Sequence, residues 1–111
     1  MSKAKRMTAS KLDKRIEYKE LVETQSDLGE VIRNWVLFKE LWASVEPIRG
    51  REFYESAHTQ SEVTHRIRHL YVEGLKPTME VRLGDRVFEI LHLHRVSEGT
   101  FEMEVMAKER L

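Results

Sequence analysis

The stretch M-E-V-R-L-G-D-R-V-F-E-I, residues 79–90, restricts the fold more than any other part of the chain. Apolar and polar residues alternate on either side of Gly84-Asp85, a two-residue turn with glycine first. The register pairs Leu83 with Arg86, Val81 with Phe88 and Met79 with Ile90, and it sends Arg82 and Val87 to the other face. S-E-G-T at 97–100 marks a second hairpin. Pairing Val96 with Phe101 sets His94 by Met103, His92 by Val105 and Ile90 by Ala107, with Arg95 meeting Glu102 on the opposite face. Both hairpins give Ile90 the same inner face, which predicts a β-meander.

The rest of the chain also reads as strands. S-E-V-T-H-R-I-R-H-L-Y-V-E alternates Val63, His65, Ile67, His69 and Tyr71 against Thr64, Arg66, Arg68 and Leu70, and stops at Gly74 and Pro77. K-R-I-E-Y-K-E-L-V places Ile16 and Tyr18 on one side. S-D-L-G at 26–29 has turn chemistry. The run E-V-I-R-N-W-V-L-F-K-E-L-W is ambiguous. Leu28, Val31, Ile32, Trp35 and Trp42 fit a helical stripe, whereas the density of Val, Ile and Trp favours a strand. W-A-S-V-E-P-I-R-G-R-E-F-Y-E-S, residues 42–56, begins as a strand, breaks at Pro47 and Gly50, and then sets Phe53 and Tyr54 among charges. Five or six strands with short turns predict an all-β domain, a small barrel or sandwich. Its expected core is Ile16, Tyr18, Trp42, Val45, Val81, Phe88, Ile90, Phe101, Met103 and Val105, with Trp35 also buried.

At 111 residues the chain suits one domain with one core. Net charge is zero but uneven: residues 1–15 carry six basic side chains against Asp13, a balance of +5. Residues 1–11 lack apolar periodicity and read as a flexible basic arm, leaving 12–111 as the domain. The absence of cysteine excludes disulfides and thiolate metal sites and points to a reducing compartment. No apolar run is long enough for a membrane span. The histidine pairs His65/His69 and His92/His94 lack zinc-ligand spacing, so no cofactor or metal is expected. Nucleophile elbows and phosphate-cradling glycine loops are also missing, which argues against an enzyme. A nucleic-acid-binding barrel of the oligonucleotide-binding kind is the rival reading, with Arg66, Arg68, Arg82 and Arg86 supplying charge. Against it, the aromatic-bearing segment 46–62 is net acidic by two, a poor lining for a phosphate backbone.

Several stretches, in order, resemble the phage head–tail joining family, the head-closure or stopper proteins. They are L-D-K-R-I at 12–16, W-A-S-V-E-P at 42–47, G-R-E-F-Y-E-S at 50–56, S-E-V-T-H-R-I-R at 61–68 and R-V-F-E-I at 86–90. The resemblance covers about 12–108. It implies a non-enzymatic β-barrel of about six mostly antiparallel strands, with a long loop between the second and third major strands, and it favours strand for the ambiguous run. It further implies a virion protein, present in the host cytoplasm during assembly, that forms a ring, typically twelve-fold; for the free protein, monomer and assembled ring are both open. The ring would sit below the portal and its adaptor, close the head around its genomic double-stranded DNA, and offer a docking surface to a tail terminator or tail-completion protein. In the family the loop after W-A-S-V projects towards the channel. Here that makes Arg49, Gly50, Arg51, Glu52, Phe53 and Tyr54 the expected plug, and Arg51, Glu52, Arg66 and Arg68 the charges expected at the subunit boundary. The basic arm is expected to reach the adaptor or tail ring. A tail terminator is a third reading, sharing the environment but not these motifs.

Overall fold

Alternating apolar side chains close into a barrel in the computed structural model, which describes residues 12–48, 63–96 and 101–111. The strands are β1 (Lys14–Gln25), β2 (Val31–Pro47), β3 (His65–Leu70), β4 (Glu80–Leu83), β5 (Arg86–Arg95) and β6 (Glu102–Arg110). They pair in the order β1-β2-β3-β6-β5-β4, and β4 returns to β1 to complete the closure. Each pairing is antiparallel. The ambiguous run lies in β2 and is strand.

The β4–β5 hairpin has the predicted register, with Leu83 opposite Arg86 and Val81 opposite Phe88. Gly84 has φ +60°, while no non-glycine residue among those described has positive φ. A left-handed first position followed by an ordinary second one is a type II′ turn, whose twist matches the strands it joins.

Inward-facing residues form one cluster that includes Ile16, Tyr18, Ile67, Val81, Phe88, Ile90, Val105 and Ala107. Met103 is also buried, and Val45 packs against the cluster while remaining partly exposed. Two expected core residues lie elsewhere. Trp42 is 52% exposed because its neighbours Leu41 and Ala43 take the inward positions and alternation turns the indole outward. Phe101 is 77% exposed, standing one residue before β6 begins, beyond the last inward position, Met103.

The β5–β6 hairpin differs from expectation by a bulge. Ile90 faces Ala107 as the pattern requires, but His92 faces Met106, Leu93 faces Val105 and Arg95 faces Met103. The irregularity falls at Leu91, between Ile90 and His92. An apolar interior explains the shift, since the extra residue lets Leu93, rather than His92, pack against the core. Arg95 consequently loses its expected place opposite Glu102, and its guanidinium lies 4.2 Å from the Tyr71 ring centroid.

Among the described residues two polar side chains are buried, and both have partners. His69 is fully buried; its Nε2 lies 2.5 Å from the Tyr18 hydroxyl and its Nδ1 2.6 Å from the Leu70 carbonyl. A carbonyl can only accept, so Nδ1 carries the proton and the Tyr18 hydroxyl donates to Nε2. Burial lowers the pKa of His69, opposed by the bond to Leu70, and burial raises that of Tyr18. With both ring nitrogens engaged, this imidazole has no lone pair free for a metal. Glu80, 1% exposed, is paired with Arg82 and with Arg110 at 3.3 Å.

Candidate assembly surface

β1 and β2 are longer than the barrel requires. β1 pairs with β4 only from Glu17 to Lys19, and β2 pairs with β3 only from Ser44 to Pro47. The two strands nevertheless stay paired with each other as far as Gln25 and Val31. Past Lys19 they therefore run on as a two-stranded ribbon whose outer edges pair with no other strand among the described residues. The described residues measure 62 × 28 × 27 Å, and the six residues of β1 past Lys19 carry the ribbon roughly 20 Å beyond its pairing with β4.

A bulge marks where the ribbon departs. Tyr18 faces Lys39 and Lys19 faces Leu37, which leaves Phe38 as the extra residue. Phe38 packs against the β3–β4 connection at Gly74, where φ is +92° and a Cβ would stand 3.1 Å from Phe38 Cζ. Only glycine suits that position on both counts. At the tip the Ser26 hydroxyl accepts from the Glu30 amide at 3.1 Å, the Ser26 amide donates to the Glu30 carbonyl at 2.8 Å, and Gly29 takes φ +86°. The S-D-L-G signal is thus the ribbon turn.

Both ribbon faces carry exposed apolar side chains. By register, Leu21, Val31, Trp35 and Leu37 share one face with Lys19, Glu23 and Arg33, while Val22, Ile32 and Val36 share the other with Glu20, Thr24 and Asn34. Leu28 at the tip is 88% exposed. Arg33 Nε and Glu23 Oε2 lie 2.7 Å apart, an exposed pair that fixes the ribbon only weakly. Residues 20–36 hold Glu20, Glu23, Asp27 and Glu30 against Arg33 alone, a balance of −3. An isolated two-stranded ribbon is marginally stable in water, and its open edges and apolar faces are ready to receive another chain.

Beside the ribbon base the barrel flank holds an apolar cleft of about 480 Å³ lined by Leu12, Leu41, Trp42 and Leu70. Leu70, like Trp42, is 52% exposed. Arg15 lies 5.2 Å over the Trp42 ring and 3.5 Å from Glu40. Trp35 and Trp42, expected in the core, thus both belong to this outer surface.

Of the sequence-predicted boundary charges, Arg66 and Arg68 are described. Arg68 Nη2 and Arg66 Nε lie 3.0 and 3.3 Å from Glu104, which also meets His94 at 3.2 Å. The same wall pairs Arg66 with Glu46 at 3.9 Å. Arg82 pairs with Glu80, and Arg86 makes a bidentate contact with Glu109 at 2.8 and 3.0 Å. That contact raises the Arg86 pKa and lowers that of Glu109. The four arginines proposed for a basic groove are thus tied to carboxylates of the same barrel. Arg49, Gly50, Arg51, Glu52, Phe53 and Tyr54 lie outside the described residues, as does the arm 1–11. The chain enters and leaves the former segment between Ile48 and Thr64, joined by an amide–carbonyl bond of 3.0 Å at the end of β2 away from the ribbon.

The ribbon is the feature that sequence reasoning missed. Its signal lay in the run that looked ambiguous: Val31, Ile32, Trp35, Val36 and Leu37 put apolar side chains on both faces, beyond the needs of a one-sided barrel wall.

Residues 7–110 match the family described as phage head completion protein. In fold, the chain is similar to the solution structure of protein SF1141 from Shigella flexneri 2a, at 22% identity, TM-score 0.74, covering 93% of this chain and 96% of that one. It is also similar to a chain in the virion of a native gene transfer agent particle, at 21% identity, TM-score 0.61, covering 89% and 96%. No curated protein matches the chain.

Proposed function

The chain belongs to the phage head completion protein family, and on that premise we propose that it is a structural connector that completes the head by ring formation beneath the portal. As a phage head completion protein it is a structural virion protein. In the proposed role it closes the channel after genome packaging and presents a surface on which the tail docks. The work is mechanical, done by contacts repeated around an axis rather than by a catalytic group.

The observation that carries this reading is a closed barrel bearing an unpartnered ribbon. Inside the barrel the buried polar groups Tyr18, His69 and Glu80 have partners, whereas the ribbon exposes apolar side chains on two faces and two open edges. An element of that kind suits a clamp held between other chains. The segment 49–54, entering at the opposite end of β2, is the proposed channel plug. In this reading one end of the barrel serves the channel and the other serves partners. Arg51 and Glu52 are proposed at the subunit boundary together with Arg66 and Arg68, whose guanidinium groups Glu104 already orients. The basic arm is proposed to contact the adaptor or tail ring.

The test is genetic. Particles assembled without this chain should lose packaged DNA and carry no tails, and supplying the chain should restore both. Full, tailed particles in its absence would refute the reading.

A further inference from the structure

β1 has β4 as its neighbour only as far as Lys19, which lies opposite Glu80; beyond it no strand among the described residues takes the place beside β1. The edge left there, residues 20–25, presents backbone donors and acceptors over roughly 20 Å. Apolar side chains flank it on both faces: Leu21 on one, 40% exposed, and Val22 on the other, 36% exposed. The charge of the ribbon is one-sided. Glu20, Asp27 and Glu30 have no ion-pair partner among the described residues, and the one cation of residues 20–36, Arg33, is held by Glu23. The acid gathers on and around β1, since residues 31–36 of β2 carry Arg33 alone. The barrel wall differs: there Glu40, Glu89, Glu104 and Glu109 each hold an arginine.

We propose that the β1 edge of the ribbon is the docking site for an extended, basic segment of a different virion protein, added as a third strand where β4 leaves off. Backbone hydrogen bonds to the edge hold the segment, its apolar side chains cover Leu21 and Val22, and its Lys or Arg side chains meet Glu20, Asp27 and Glu30. A second copy of this chain is the poorer occupant. Its ribbon brings the same balance of −3 over residues 20–36, and the arginines of its barrel are already paired with its own carboxylates. The same charge turns DNA away from the ribbon. This rests on the reading of the protein as a connector, and it names the chemistry of the partner which that reading leaves open.

The chain contains no cysteine, so an introduced thiol carries a label at one site. Full-length Leu21→Cys is coupled to a maleimide–diazirine and added to heads assembled without this chain; after irradiation the adducts are mapped by mass spectrometry. The expected adduct lies on a virion protein other than this chain, in a stretch that alternates apolar residues with Lys or Arg. An adduct on a second copy, at any residue including 1–11, overturns the proposal. So does an adduct on a neutral or acidic stretch, or tailed particles that yield no adduct. A second measurement needs no label. Asp27→Lys/Glu30→Lys moves residues 20–36 from −3 to +1 at two exposed positions, so the variant should melt as the wild type does. The concentration that converts half of such heads into tailed particles should rise about tenfold, and high salt should narrow the gap. Equal potency overturns the proposal. If heads made without the chain keep their genomes and gain tails, the connector reading fails and takes this proposal with it. If they need the chain yet tolerate the charge reversal, the docking edge alone fails.

Discussion

Tyr18→Phe removes one oxygen from the centre of the barrel and leaves the ring in place. The lost hydroxyl donates to His69 Nε2 at 2.5 Å, and both side chains are fully buried. The variant loses that bond and strands a buried acceptor, together about 2 kcal/mol. For a domain of this size that lowers Tm by roughly 8 °C. The histidine adds a pH signature. Its folded pKa lies below the ordinary 6.5 because burial disfavours the charged ring, so below that pH the unfolded chain binds more protons than the folded one. This part of the stability is fully present above about pH 6.5 and is lost as pH falls below it. Calorimetry from pH 8 to 5 should therefore show Tm falling below pH 6.5 in the wild type and in Tyr18→Phe. The slope should flatten in Tyr18→Phe/His69→Leu, which should also regain part of the loss at pH 8 because no acceptor is left stranded. A Tyr18→Phe protein melting within 1 °C of wild type, or a pH profile unchanged by removing His69, would refute this account of the core.

Gly74→Ala should destabilise by about 1–2 kcal/mol, since alanine resists φ +92° and its Cβ would press on Phe38 at the ribbon base; urea denaturation measures it. Glu104→Gln should cost about 1–2 kcal/mol, because Arg66, Arg68 and His94 share that one partly buried carboxylate; the same assay applies, and 1 M salt should narrow the gap. The free protein should not bind duplex DNA below micromolar concentration at physiological salt, because the groove arginines are paired with carboxylates; fluorescence anisotropy decides it.

What the sequence made legible was local. Gly84-Asp85 fixed its hairpin, since a glycine-first turn between alternating strands has one natural register. Tyr18, Ile67 and Val105 follow strand parity into the core. Parity failed where an extra residue entered. Nothing in the pattern announces the bulges at Phe38 and Leu91, because each is set by what the far side of the barrel accepts. Trp42 misled for a related reason: its size argues for burial, but its position between Leu41 and Ala43 turns it outward. The ribbon stayed hidden because apolar residues on both faces imitate a helix as readily as a strand awaiting a partner.

The ribbon can be removed without touching the core. Glu20 and Val36 are register partners, so replacing residues 21–35 by Asn-Gly leaves a tight hairpin on an intact barrel. The purified variant should melt close to wild type, showing that the barrel folds without its extension. Supplied in place of the wild-type chain during phage assembly, it should yield heads that lose their DNA and carry no tails. Full, tailed particles at wild-type yield would contradict the claim that this ribbon is what the protein contributes to the virion.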